Sequence, residues 1–105
     1  MIKHLTKSDF DSEIKNAKLA VVDFWASWCG PCKMLAPVLE QVDTAVTDCL
    51  IAKVNVDEQQ ELAMRYNVMS IPTIIFFKNN KEVDKLVGLV GKEKIIGLIE
   101  KYKKD

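Results

Sequence analysis

The apolar pattern of the chain is clearest in Leu19–Trp25, a near-continuous apolar run of strand length. Such a run is typical of a strand that is covered on both faces, as in the sheet of an α/β protein. Further strands are predicted over Ile2–Leu5, Leu50–Val56, Thr73–Phe77 and Val83–Val87. Asn79 and Asn80 lie between the last two strands and tolerate the positive φ of a tight turn, so the sheet is predicted to end in an antiparallel hairpin.

Apolar residues also recur at helical spacing between and after these strands. They predict four helices, over Ser8–Asn16, Pro31–Val46, Gln59–Tyr66 and Lys92–Tyr102. Thr6 or Ser8 is predicted to cap the first helix. Pro31 suits the first turn of the second helix, and Pro37 is predicted to kink it. The element order is therefore βαβαβαββα, which indicates an α/β fold.

Composition narrows the class of protein further. With 105 residues, about half of them apolar, residues 1–105 are predicted to form a single domain. Lys plus Arg equals Asp plus Glu, 15 against 15, so charge gives no reason to expect a nucleic acid or an anionic membrane as partner. The apolar runs are too short to span a bilayer and the N-terminus has no signal-like apolar segment, which predicts a cytoplasmic protein.

The most specific chemical motif is Trp28-Cys29-Gly30-Pro31-Cys32-Lys33, at the predicted junction of the apolar strand and the second helix. Two cysteines three positions apart on a helical turn have Cα atoms about 5 to 6 Å apart, so one disulfide can open and close between them. A single pair in a chain with three cysteines favours redox chemistry in a reducing compartment. The alternatives are an inert buried pair or half a metal site, and distant Cys49 and His4 are too few further ligands for zinc.

The same stretch suggests how two thiols could divide the chemistry. Cys29 precedes the helix, where unpaired N–H groups and the helix dipole stabilise a thiolate, so it is the candidate nucleophile. Cys32, one turn further in and more shielded, is the candidate resolving thiol. Asp23 is the only charge in the Leu19–Trp25 run, and burial would raise its pKa, making it the candidate base for Cys32. Lys53 in the neighbouring strand could pair with Asp23, and the alternative is a purely structural buried ion pair.

Several separated motifs together give the chain a resemblance to the thioredoxin family over essentially its full length. The matching residues are Asp23-Phe24-Trp25-Ala26, Trp28–Lys33, Pro37, Lys53, Asn55-Val56-Asp57, Ile71-Pro72-Thr73 and Gly88. The resemblance implies a central five-stranded mixed sheet flanked by helices on both faces, with Pro72 in the cis form. It also implies thiol–disulfide exchange with disulfide-containing protein substrates, a thioredoxin reductase as partner, and no bound cofactor beyond the Cys29–Cys32 disulfide. Ser70 and Cys49 depart from the commonest family pattern.

A substrate-docking surface is expected around Cys29. Its expected residues are Trp28, Gly30, Pro31, Ile71, Pro72 and Gly88. An exposed Ile71 backbone would pair with an extended substrate segment and give broad specificity. The alternatives are that Pro72 is an ordinary proline at a strand start and that Gly88 is an ordinary turn residue.

The remaining candidate residues are expected to be structural. Trp25 is predicted to pack the site, and Cys49 to be a small buried apolar residue, with regulatory oxidation as its alternative. No role is assigned to His4. The methionines Met34, Met64 and Met69 are expected to fill the core or the rim.

The dipeptide between the cysteines suggests the direction of electron flow. Gly30-Pro31 resembles the reducing members of the family, whereas its oxidants and isomerases typically carry a His there. The leading hypothesis is thus a monomeric cytoplasmic thiol–disulfide oxidoreductase that reduces protein disulfides and is recycled by a thioredoxin reductase. A second hypothesis is an interaction module that holds a partner without electron transfer, and an oxidase or isomerase is a third.

Overall fold

A computed structural model of the chain describes residues 2–104. The strands are β1 (Lys3–His4), β2 (Leu19–Trp25), β3 (Leu50–Asn55), β4 (Thr73–Lys78) and β5 (Lys81–Val87). The helices are α1 (Phe10–Asn16), α2 (Gly30–Ala45), α3 (Gln60–Arg65) and α4 (Lys92–Lys104). The order along the chain is the predicted βαβαβαββα.

The five strands form one mixed sheet in the order β1-β3-β2-β4-β5. β2 is central, and it runs parallel to β3 and antiparallel to β4. Its first six residues are buried because it has strand neighbours on both sides and packed side chains on both faces. The predicted α/β fold with a five-stranded mixed sheet is confirmed.

The two faces of the sheet carry separate apolar clusters. On one face, Val22 and Phe24 of β2 pack with Phe10 and Ile14 of α1 and Leu62 of α3. The opposite face is covered by α2 and α4, and its cluster contains Val21, Leu35, Leu39, Ile95 and Ile99. Alternate residues of β2 therefore belong to different layers, as the pleat of a strand requires. The helices flank the sheet on both faces, as the resemblance implied.

The boundaries of several elements differ from the predictions. The cap prediction for α1 is wrong, since the helix begins after Asp9 and neither Thr6 nor Ser8 caps it. The Asp9 carboxylate instead accepts the backbone N–H of Thr6 at 2.7 Å. β1 is shorter than predicted, and the hairpin strands β4 and β5 are longer.

The hairpin turn contains only Asn79 and Asn80, with φ of 51° and 67°. Two consecutive positive φ angles define a turn whose twist matches that of the flanking strands. The predicted conformation of both Asn residues is confirmed. Pro37 lies inside α2 as expected, and the kink there stays a prediction.

Candidate active site

The Cys pair lies where the central strand meets the longest helix. β2 ends at Trp25, and four residues later Cys29 is the N-cap residue of α2. Pro31 stands in the first turn of α2, where its missing N–H leaves no intrahelical hydrogen bond unmade. The carboxyl end of a central strand is where open α/β folds commonly bind their ligands.

Cys29 and Cys32 form a disulfide, with Cα atoms 5.2 Å apart, inside the predicted range. The Cys29 Sγ accepts the backbone N–H of Cys32 at 3.2 Å. The sulfur therefore already faces the amino end of α2, where negative charge is stabilised. The two residues are almost equally shielded, with exposed fractions of 5% and 3%, so the expected contrast between an accessible Cys29 and a buried Cys32 is small in the disulfide form.

Two other loops meet the Cys pair. The Ile71–Pro72 peptide bond is cis, as the resemblance implied, and the Ile71 carbonyl oxygen lies 3.9 Å from the Cys29 Sγ. The Pro72 carbonyl oxygen accepts the backbone N–H of Gly88 at 2.8 Å. Gly88 has a φ of +93°, which L side chains rarely adopt. The structure therefore brings Cys29, Ile71, Pro72 and Gly88 together from three separate segments.

Trp28 is the largest exposed side chain beside the disulfide, with 69% of its surface accessible. Its indole N–H donates a hydrogen bond of 2.8 Å to the Asp57 carboxylate. Gly30 and Pro31 are also exposed, so the expected docking surface does face solvent on this side. Sequence reasoning assigned no role to Asp57. The position of Asp57 just after β3 could have indicated this contact, because the parallel strands β2 and β3 end at the same edge of the sheet.

Asp23 is fully buried, and neither carboxylate oxygen has a hydrogen-bond partner within the described chain. Burial raises the pKa of Asp23 from 3.8 to about 7, and the charge of Lys53 opposes part of that rise. Asp23 stands two residues after Val21, so it faces the sheet layer that α2 covers. A carboxyl group that titrates near neutral pH on this face is chemically able to exchange a proton with a group on α2.

Lys53 does not pair with Asp23 in the expected way. The two residues are register partners on β3 and β2, but within residues 2–104 no ion pair of 4 Å or less joins them. The Lys53 Nζ instead lies 4.7 Å from the centroid of the Trp25 ring. The indole face attracts the ammonium, which stays at the partly exposed edge and avoids full burial. The expected pairing through a close contact is therefore absent, and so is the alternative of a structural buried ion pair, but the charge of Lys53 still lowers the pKa of Asp23, as expected.

Trp25 connects several of these groups. It packs against the cluster of Ala26, Cys29 and Cys32, as predicted. The ring of His4 stands at 73° to the Trp25 ring with centroids 6.4 Å apart, so His4 is closer to the site than its position in the sequence suggested. Sequence reasoning missed this contact because β1 lies far from the Cys pair along the chain and reaches it only through the pairing with β3.

The burial of the methionines and of Cys49 can be compared with their predicted structural roles. Of the two expected positions for the methionines, the core is excluded, because Met34, Met64 and Met69 are all exposed. Cys49 is partly buried and packs against the cluster under α2 and α4. Burial raises the pKa of its thiol to about 12, in keeping with the predicted structural role.

Within residues 2–104, no three His, Cys, Asp or Glu side chains come close enough to hold a metal ion. None of the helices in that range is both long and apolar enough to cross a membrane.

A disulfide between the N-cap residue and the first turn of a helix, beside the loop that contains the Ile71–Pro72 bond, is the arrangement of a thiol–disulfide oxidoreductase. The thioredoxin family model matches residues 1–101. The chain belongs to the thioredoxin family, and thiol–disulfide oxidoreductase activity follows from that membership.

Individual relatives agree with this assignment. A thioredoxin of Chlamydia caviae is 48% identical over 102 residues, covering 97% of this chain and 99% of its own. A thioredoxin of Staphylococcus aureus is 46% identical over 102 residues, covering 96% and 97%. The structure of Plasmodium falciparum thioredoxin superimposes with a TM-score of 0.88 at 42% identity, covering 95% of this chain and 98% of that one. The chain is thus similar to thioredoxins in both sequence and fold.

Proposed function

We propose that this protein is a general protein-disulfide reductase that passes two electrons from Cys29 and Cys32 to its substrates. The observation that carries the proposal is the position of the Cys29 Sγ. This sulfur accepts a hydrogen bond from the Cys32 N–H at 3.2 Å and lies 3.9 Å from the Ile71 carbonyl oxygen. The Cys29 sulfur thus lies where a negative charge would be stabilised in the dithiol form, and a backbone edge beside it can align a substrate segment.

The first step is the attack of the Cys29 thiolate on one sulfur of a substrate disulfide. A mixed disulfide forms between Cys29 and the substrate, and the second substrate sulfur leaves as a thiolate. The hydrogen bond from the Cys32 N–H to the Cys29 sulfur, together with the amino end of α2, stabilises the attacking charge. In the dithiol form the Cys29 S–H can donate to the Ile71 carbonyl oxygen, so that carbonyl orients the thiol before it ionises.

The second step requires Cys32 to lose its proton. Asp23 is the proposed base, because it is buried on the sheet face that α2 covers and its pKa of about 7 matches neutral conditions. The Cys32 thiolate then displaces the substrate from Cys29 and closes the intramolecular disulfide. The substrate leaves with both sulfurs reduced, and the protein keeps the oxidised pair. Lys53 is a positioning residue that lowers the pKa of Asp23 from its place over Trp25.

Substrate binding is assigned to the rim of the disulfide. The rim residues are Trp28, Gly30, Pro31, Ile71 and Gly88, together with Pro72, whose side chain is buried beneath them. A flat surface with an apolar side chain at its edge suits a protein partner better than a small molecule. Cys29 and Cys32 are shielded in the disulfide form, so contact with substrate or with a reducing partner has to occur over this rim.

The oxidised protein must be reduced again before a second turnover. Recycling is assigned to a thioredoxin reductase, which would engage the same rim to reach the disulfide. Pro31 carries no N–H to stabilise a thiolate further, which agrees with a reducing pair and not an oxidant. A monomer in the cytoplasm fits this role, since a reducing compartment keeps the pair in its dithiol form.

A coupled assay tests the proposal. The protein, a thioredoxin reductase, NADPH and a protein with an accessible disulfide are mixed, and NADPH oxidation is followed. Continuous turnover is expected, and both Cys29→Ser and Cys32→Ser should abolish it. A redox titration followed by Trp fluorescence should give a strongly reducing potential. Partner binding that persists without turnover when both cysteines are replaced would instead indicate an interaction module, and a strongly oxidising potential would indicate an oxidase or isomerase.

A further inference from the structure

The three segments around Cys29 carry no charged residue, although 29% of the chain is charged. Residues 24–32, 66–77 and 86–91 contain neither Asp, Glu, Lys nor Arg, and charges begin immediately outside them. The segments meet through the contact of Cys29 with the Ile71 carbonyl and through the hydrogen bond from Gly88 to Pro72. A surface of this composition offers a partner apolar contact and backbone hydrogen bonds, but little electrostatic selection.

Three large apolar side chains stand exposed within these segments, outside the rim described above: Met69, Val87 and Leu89. Met69 is 86% exposed and lies two residues before Ile71. Leu89 is 44% exposed and follows Gly88, whose N–H is bonded to Pro72. Two residues of chain span at most about 7 Å, so Met69 lies within reach of a segment aligned on Ile71. Large apolar side chains left in water beside a binding site gain free energy when a partner covers them.

We infer that Met69 and Leu89 make the protein select disulfides in extended segments that carry a large apolar side chain within about two residues of the cystine. The inference rests on the proposed function and adds a substrate class to it. A segment paired with the Ile71 backbone presents its alternate side chains toward the same side, so the residue two positions along meets Met69. Disulfides flanked by such side chains are exposed to water mainly when their protein is partly unfolded or wrongly paired. The predicted substrates are therefore disulfides of non-native chains.

Peptide disulfides of defined sequence test this inference. Two peptides with the same intramolecular disulfide and the same net charge differ only at the positions two residues outside the cystine, which are Leu in one and Ser in the other. The rate constant for oxidation of the reduced protein by each peptide is measured by stopped-flow Trp fluorescence. The Leu peptide should react roughly five- to tenfold faster, the factor expected when part of a Leu or Met side chain leaves water. High salt should leave this ratio unchanged.

Substitutions at Met69 and Leu89 test whether these residues cause the preference for the Leu peptide. Met69→Ser and Leu89→Ser should each bring the ratio of the two rates closer to one, whereas Met69→Leu should retain it. Met64→Ser is the matched control, since Met64 is 80% exposed but lies on α3, outside the uncharged segments. Equal rates for the two peptides with the unaltered protein, or an unchanged ratio in Met69→Ser, would overturn the inference.

Reduction of 2-hydroxyethyl disulfide separates this inference from the proposed function. The small compound has no side chain for Met69 or Leu89 to contact, so it reports on the Cys pair alone. If the unaltered protein reduces it but does not discriminate between the peptides, the substrate preference fails and the reductase function stands. If the protein reduces neither the compound nor the peptides, the proposed function fails, and the inference fails with it.

Discussion

Asp23 and Lys53 are register partners on adjacent strands, yet the Lys53 Nζ lies 4.7 Å from the centroid of the Trp25 ring and forms no ion pair with the carboxylate. The Asp23 oxygens are also without hydrogen-bond partners in the described chain. Burial therefore dominates the proton affinity of Asp23, with Lys53 acting only through its field. An acid held by close partners would be ionised at all pH values of interest, whereas this one can take up and release a proton near neutrality.

Asp23→Asn is expected to separate the two steps of disulfide exchange. Attack by Cys29 should keep its rate, because the Cys29 thiolate is stabilised at the amino end of α2 and does not depend on Asp23. Release of substrate by Cys32 should slow by at least about tenfold, since general-base assistance is lost. Rapid mixing with a labelled disulfide peptide measures both steps, because the mixed disulfide accumulates when the second step is slow.

The pH dependence provides a second readout for the same variant. In the unaltered protein the release step should accelerate as pH rises through about 7, where Asp23 becomes able to accept a proton. This inflection should disappear in Asp23→Asn and persist in Asp48→Asn, a matched change at an exposed carboxylate. Equal slowing of both steps in Asp23→Asn, or of neither, would contradict the role of Asp23 as base.

The buried carboxyl group should also make stability depend on pH. The folded state holds the Asp23 proton up to about pH 7, whereas the unfolded chain releases it near 3.8. The folded state therefore binds more protons in this window, so the free energy of unfolding falls as pH rises through it. At about pH 8, the free energy of unfolding of Asp23→Asn should exceed that of the unaltered protein by on the order of 4 kcal/mol. Below about pH 4 the two free energies should differ little.

Urea unfolding of the disulfide form at a series of pH values measures this difference. Asp48→Asn serves again as the control, because it removes one carboxylate at an exposed position. An identical pH slope in Asp23→Asn and the unaltered protein would show that Asp23 is not the group responsible.

The outline of the fold could be predicted because local pattern and tertiary packing agree. The apolar run of β2 requires cover on both faces, and the sheet order provides it. Asn79 and Asn80 identified the hairpin because few other residues tolerate two consecutive positive φ angles. Helix starts were less predictable, since Asp9 binds the Thr6 backbone and neither predicted residue caps α1.

The candidate site could be predicted where its residues are close in sequence, and less where they meet only in the fold. The spacing of Cys29 and Cys32 fixes their geometry locally. From its place on β3, the Lys53 side chain could contact either the Asp23 carboxylate or the Trp25 ring. The structure shows the contact with Trp25, which the strand pattern does not predict. The hydrogen bond between Trp28 and Asp57 spans 29 positions and follows from the pairing of β2 with β3.

Lys53→Met should raise the pKa of Asp23 above about 7. The charge of Lys53 lowers that pKa, and Met keeps a long apolar side chain over Trp25 without the charge. Carbon-13 NMR of the Asp23 carboxyl group measures the pKa directly. Lys33→Met, which removes an exposed charge on α2, should leave it unchanged. A lower Asp23 pKa in Lys53→Met would show that Lys53 acts by some means other than its charge.

Asp57→Ala should free the Trp28 side chain. The indole N–H would lose its 2.8 Å hydrogen bond, and an exposed bond of this type contributes about 0.5 to 1.5 kcal/mol to stability. Time-resolved fluorescence anisotropy of Trp28, in a Trp25→Phe background, should show a faster and wider motion of the ring. Asp57→Asn retains an acceptor oxygen and should behave like the unaltered protein. Unchanged anisotropy in Asp57→Ala would mean that packing alone holds Trp28.

Cys49 should be inert in the folded protein. Burial raises the pKa of its thiol to about 12, and although the charge of Lys103 lowers that pKa, burial has the larger effect. With the active-site pair reduced, iodoacetamide at about pH 8 should alkylate Cys29 at least a hundredfold faster than Cys49, because the thiolate is the reactive form. Mass spectrometry of peptides measures both rates, and unfolding in urea should make all three cysteines react.

Cys49→Ala should leave the reduction potential of the pair unchanged. Rapid alkylation of Cys49 in the folded protein would instead support the alternative, a thiol that oxidants can reach.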